Sequence, residues 1–147
     1  MAELSAREQL FVELINRARM DPLGEAAQYG LGDLNAGLPP GTISAAPKQV
    51  LAPNFLLNDA ARAHSQWQLD TDVFSHTGAG ATSPGQRMTN ASYTFTGSWS
   101  WGENISWSGS TGSFDANAAV AEQHRGLFLS ARHRENILGD SFREVGI

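Results

Sequence analysis

Trp99-Ser100-Trp101-Gly102-Glu103-Asn104-Ile105-Ser106-Trp107 alternates large side chains with small or polar ones, and one large residue breaks the apolar rule. Period two over nine residues, rich in aromatics, predicts a β-strand. Glu103 falls in phase with Trp99, Trp101, Ile105 and Trp107, on the face that reads as buried. An isolated carboxylate in an apolar setting is costly and neutralises unless it is paired. Glu103 therefore predicts a partner: a cation, an imidazole or backbone amides. Two alternatives stay open. Either the opposite face is the buried one, or Gly102 marks a bulge that resets the register. The tryptophans could line a groove for lipid or peptide, but such a stripe is more often core, and core is expected for at least two of the three.

Outward from this stretch, helices are predicted on both sides. Ser5-Ala6-Arg7-Glu8 is a capping-box pattern, followed by Leu10, Phe11, Leu14, Ile15 and Ala18 on one face, so a helix is expected over 5–19. Asp21-Pro22 stops it and starts a second helix that should end at Tyr29-Gly30. Residues 30–53 are rich in Gly, Pro, Ala and Ser and read as an ordered surface loop. Asn58 is expected to cap a helix over 58–69 that carries Ala60, Ala61, His64 and Trp67 on one side. Ser83-Pro84-Gly85-Gln86 repeats the capping-box pattern and opens a short helix near Met88. A Gly/Ser/Thr loop over 108–113 leads to a helix over 115–129, with Ala116, Val120, His124 and Leu127 on one stripe. Residues 142–147 read as a second strand.

Composition bounds the function. The chain has 147 residues, enough for one domain. Apolar residues make up 41% and charged residues 17%, which argues against disorder. The net charge of −5 offers no phosphate-neutralising surface, so nucleic acid is not an expected partner. The chain has no cysteine, which excludes disulfides and thiolate chemistry. No apolar run approaches the roughly 20 residues that span a bilayer, and the first residues do not read as a signal peptide. No Gly-x-Ser-x-Gly elbow is present, and Gly78-Ala79-Gly80-Ala81 reads as a flexible turn because it lacks the Lys-Ser/Thr of a phosphate loop. His64 and His124 each sit on an apolar helical face and read as core histidines bonded to backbone.

Four motifs occur in order: Phe74-Ser75-His76, Gly102-Glu103-Asn104-Ile105, His133-Arg134-Glu135-Asn136-Ile137-Leu138 and Glu144-Val145-Gly146. Together with Asn16-Arg17-Ala18-Arg19 and the segment Leu57 through Ser65, this series resembles the CAP superfamily of cysteine-rich secretory, antigen 5 and pathogenesis-related proteins, in its bacterial branch. The resemblance covers nearly the whole chain and implies a single CAP-like domain over 1–147 of the α+β class, a three-layer α/β/α sandwich with a central antiparallel sheet. It also implies a secreted, extracellular protein, expected as a monomer. The family's sheet continues past the Glu-Val-Gly strand, so the chain is expected to be either trimmed at its C-terminus or part of a longer protein.

The resemblance further implies a ligand cleft lined by two histidines and two glutamates. His76 matches the first histidine, Glu103 the first glutamate and His133 the second histidine. The second glutamate has no match, because Leu129, Ser130 and Ala131 occupy the place before His133, and Glu122 lies too far upstream to take the role. His76 and His133, with Glu103 as a third ligand or a water-polarising base, would suit a divalent metal such as zinc. A hydrogen-bonded His–Glu–His cluster without metal is the simpler alternative. Three functions follow from the resemblance: a non-catalytic module binding a lipid, a sterol or a protein; a metal-dependent hydrolase or protease; or a structural extracellular domain of a larger protein.

Overall fold

A computed structural model describes residues 3–147. Two compact units are present, each built from separated stretches of chain: one from Leu4–Val50 with Ser106–Asp140, the other from Leu51–Ile105 with Glu3 and Ser141–Ile147.

The first unit is helical. Helix α1 (Ala6–Met20) starts where Ser5 Oγ accepts from the Glu8 amide at 3.3 Å and the Glu8 carboxylate accepts from the Ser5 amide at 2.6 Å. Asp21 ends it and caps α2 (Pro22–Gln28), accepting from the Gly24 amide at 2.9 Å. Asp115 caps α5 (Ala116–Leu129) by accepting from the Asn117 and Ala118 amides. Helix α1 packs on α5, and both pack on a further short helix, α6 (Ala131–Ile137), which sequence periodicity does not predict. The core between them holds Val12, Ile15, Ala18, Val120, Leu127, Phe128 and Ile137.

The expected loop is ordered by buried guanidiniums. Arg134 donates to the Leu34 carbonyl at 2.8 Å and also to Ala36, Phe128 and Leu129. Arg19 donates to Gln49 at 2.7 Å and to Ile137 at 2.8 Å. A loop lacks ladder partners for its carbonyls, and a fixed fork of five N–H donors supplies them.

The second unit holds α3 (Phe55–Thr71), α4 (Pro84–Asn90), a 3-10 turn at Ala79–Ala81, and strands β1 (Ala52–Pro53) and β2 (Glu144–Val145). Asn54, not Asn58, caps α3, accepting from the Leu56 and Leu57 amides. Both asparagines satisfy the capping rule, and the helix takes the earlier one because nothing in Phe55-Leu56-Leu57 breaks it. Asn58 is buried inside the helix and accepts from the Ile147 amide at 2.7 Å. The predicted capping box at Ser83 and Gln86 forms on α4.

The strand expectations need correction. Residues 99–107 take part in no ladder, and the 142–147 strand shortens to Glu144–Val145. β2 pairs with β1 in parallel, Ala52 opposite Glu144 and Pro53 opposite Val145. Among the described residues this is the one ladder, and it is parallel. Alternation tells which way side chains would point, but a strand also needs a neighbouring chain in register to take its amides and carbonyls. The ladder that does form tolerates proline because its donors are the amides of Ala52 and Asn54, on either side of Pro53. The tryptophans are not core: Trp99, Trp101 and Trp107 are 57%, 41% and 73% exposed.

Candidate functional site

His76 follows α3 on a segment tied down from several directions. The chain leaves α3 through Asp72 in the left-handed region (φ 55°). The Ser75 amide donates to Gln68 Oε1 at 3.1 Å, and His64 Nε2 meets the Ser75 carbonyl at 2.9 Å. His64 is thus a core histidine bonded to backbone, as expected, with its ring stacked on Trp67 at 5.6 Å. Thr77 donates its amide to Ser75 Oγ. The main chain on each side of His76 is fixed, while its side chain remains 53% exposed.

Glu103 has two of the partners its sequence position predicts. Oε1 lies 2.9 Å from His76 Nδ1, and Oε2 accepts from Arg87 Nη2. Arg87 reaches from α4 and also donates through Nη1 to the His76 carbonyl at 2.9 Å and the Thr82 carbonyl at 3.0 Å. A carboxylate can only accept, so a neutral His76 carries its proton on Nδ1 and keeps its lone pair on Nε2. Arg87 is the member of this cluster that sequence reading missed. Its one signal was its place on a well-capped helix between His76 and Glu103.

The structure therefore brings His76 and Glu103 together. His133 belongs to the other unit, on α6, where its Nδ1 shares a 2.8 Å hydrogen bond with Ser130 Oγ. Glu122 pairs with Arg125 at 3.5 Å on the surface of α5. Among the described residues, no three His, Asp or Glu side chains are gathered as ligands for a metal ion.

A second charged cluster lies in the helical unit. Arg17 donates through Nε and Nη2 to both oxygens of Glu25, each at 2.7 Å, and Nη2 also reaches the Tyr29 hydroxyl at 3.1 Å. His124 Nε2 sits 2.7 Å from Glu25 Oε1. His124 is core, but its partner is this carboxylate and not the backbone. Burial pushes the Glu25 carboxyl upward, yet the hydrogen bonds from His124 and Arg17 outweigh it and hold the group at about 2. Glu25 and His124 are both buried, and Phe11, Tyr29 and Phe128 pack their rings around the imidazole. Its carboxylate and imidazole are sealed from the surface, and only the Arg17 side chain, 43% exposed, reaches it, so the cluster reads as structural.

The Glu144-Val145-Gly146 motif is accounted for residue by residue. Glu144 accepts from the Tyr93 hydroxyl at 2.6 Å and from Asn54 Nδ2 at 2.8 Å. Val145 supplies a ladder carbonyl. Gly146 lies so close to α3 that a Cβ there would stand 2.1 Å from the Leu57 carbonyl carbon.

No described helix is long and apolar enough to cross a membrane. A comparison with family models matches residues 12–147 to CAP, the cysteine-rich secretory protein family. No curated protein and no solved structure matches the chain. The match takes in all four ordered motifs, from Phe74-Ser75-His76 to Glu144-Val145-Gly146, and covers most of the sequence even though it contains no cysteine. The chain belongs to the cysteine-rich secretory protein family.

Proposed function

We propose that this chain is a secreted, non-catalytic ligand-binding module of the CAP type. In this reading His76, Glu103 and His133 line the ligand cleft, and His76 and His133 hold a divalent metal such as zinc weakly. The family's α/β/α layering belongs to the same proposal. The observation that carries it is the half-exposed His76 ring, whose Nδ1 is engaged by Glu103. A metal-binding histidine commonly donates its other ring nitrogen to a carboxylate in this way. Glu103 fits that orienting role better than a ligand's, because a guanidinium already contacts its second oxygen and would oppose a divalent cation there. The same contact argues against Glu103 as a general base, and so against the hydrolase. His133 enters through the family resemblance, which also supplies lipid, sterol or protein as ligand classes.

Zinc titration followed by NMR of the four histidine rings tests the proposal. The expected result is micromolar or weaker binding that perturbs His76 and His133 and is lost in His76→Ala, with no peptidase or esterase activity above background. Zinc-dependent turnover that disappears in Glu103→Gln would establish the hydrolase instead.

A further inference from the structure

Arg87 divides one guanidinium between the two groups that define the His76 site. Nη1 holds the carbonyl of His76 itself at 2.9 Å, and Nη2 holds the Glu103 carboxylate. Glu103 returns through its other oxygen to the imidazole of that same residue, 2.9 Å away. Guanidinium, carboxylate, imidazole and the His76 main chain thus close a ring of contacts. The surroundings fit this use. Arg87 side-chain exposure is only 10%, and its helix begins with a capping box and Pro84. Gly78 leaves the space the fork needs, since a Cβ there would lie 3.0 Å from Arg87 Nη1 and 3.1 Å from His64 Nδ1. His64 and Gln68 hold the neighbouring Ser75 main chain.

We infer that Arg87 is the positioning residue of this site: it fixes both the main chain that carries His76 and the carboxylate that turns its ring, so that Nε2 is presented outward as an acceptor. The inference rests on reading His76 as the ligand-facing group. A planar fork is needed, because a lysine ammonium is a point charge on a flexible stem and cannot bridge carbonyl and carboxylate in the same geometry.

The test reads the ring directly. Long-range ¹H–¹⁵N spectra of the full chain report the tautomer of each histidine. Wild-type His76 is expected as the Nδ1–H form. Arg87→Gln and Arg87→Lys are each expected to shift it to a mixture of tautomers while His124, in the other unit, stays unchanged. The Lys variant keeps the charge on α4 and carries the test if the Gln variant does not fold. In a Glu103→Gln background, Arg87→Lys should change His76 less than it does in the wild type, because only the contact to the His76 carbonyl remains to be lost. Zinc chloride titrated into the same samples should bind about tenfold more weakly without Arg87, the scale seen when a group orienting a ligand is lost. A wild-type His76 in the Nε2–H form, or a folded Arg87→Lys protein that keeps the wild-type tautomer, overturns the inference. A wild-type protein that shows the Nδ1–H form, loses it in Arg87→Lys and ignores zinc upholds the positioning role while defeating the metal reading.

Discussion

Replacing Glu25 by glutamine keeps the shape of the helical unit's buried cluster and removes its charge. In the native protein the carboxylate bonds Arg17 twice at 2.7 Å and His124 once at 2.7 Å, and its carboxyl is held at about 2 against an ordinary 4.5. A depression of that size corresponds to about 3 kcal/mol favouring the folded state once both folded and unfolded forms are ionised. The sign follows from the direction. Because the folded carboxyl is depressed, its contribution is fully present above the unfolded value, near pH 4.5, and is lost as pH falls toward about 2. Urea unfolding of wild type and Glu25→Gln at several pH values measures it. The wild-type advantage is expected to be largest at neutral pH, on the order of 3 kcal/mol, and to shrink steadily below pH 4.5. Other carboxylates titrate in the same range, but they are common to both proteins and cancel in the difference. A difference that stays flat from neutral pH down to about 2 would refute the claim that a charged Glu25 holds Arg17 and His124 in place.

Further substitutions probe the second unit. Gly146→Ala should cost about 2–5 kcal/mol in denaturant unfolding, because a Cβ 2.1 Å from the Leu57 carbonyl carbon must push the strand off α3 and break the Ile147–Asn58 bond; a loss below about 0.5 kcal/mol would mean the strand does not lie there. Glu103→Ala should destabilise by about 1–3 kcal/mol, since it leaves a largely buried Arg87 without its carboxylate, and Glu103→Gln by less; equal, negligible losses in both would place Glu103 outside the packed structure. Asn54→Ala should cost about 1 kcal/mol as a lost N-cap while Asn58→Ala costs more, through its buried bond to Ile147, and the reverse order would restore Asn58 as the cap.

The helices were legible in the chain itself because what starts and stops a helix lies within a few residues. Ser5 with Glu8, Ser83 with Gln86, Asp21 before Pro22, and Asp115 before Ala116 satisfy the first amides of their own helices, and the structure places a helix after each. The expectation of a partner at Glu103 was met although its premise was not, since the tryptophans in phase with it are exposed and the carboxylate needs compensation because its own side chain is largely buried. The residues alone did not name those groups: the family resemblance set His76 beside Glu103, and Arg87 went unread. His76 is 27 residues away and Arg87 16, and only the packing of α3 and α4 sets their side chains against it. The Glu25–His124 bond spans 99 residues and was invisible for the same reason. Residues 99–107 show the limit most plainly. Their alternation is a local property and was read correctly as alternation, but a strand is a relation between two segments, and the ladder formed instead between Ala52–Pro53 and Glu144–Val145. Local chemistry determined where helices begin; the burial of Glu103 and the choice among distant partners, in ladders and in buried charge clusters alike, were made by tertiary packing, because those contacts exist only once the chain has closed on itself.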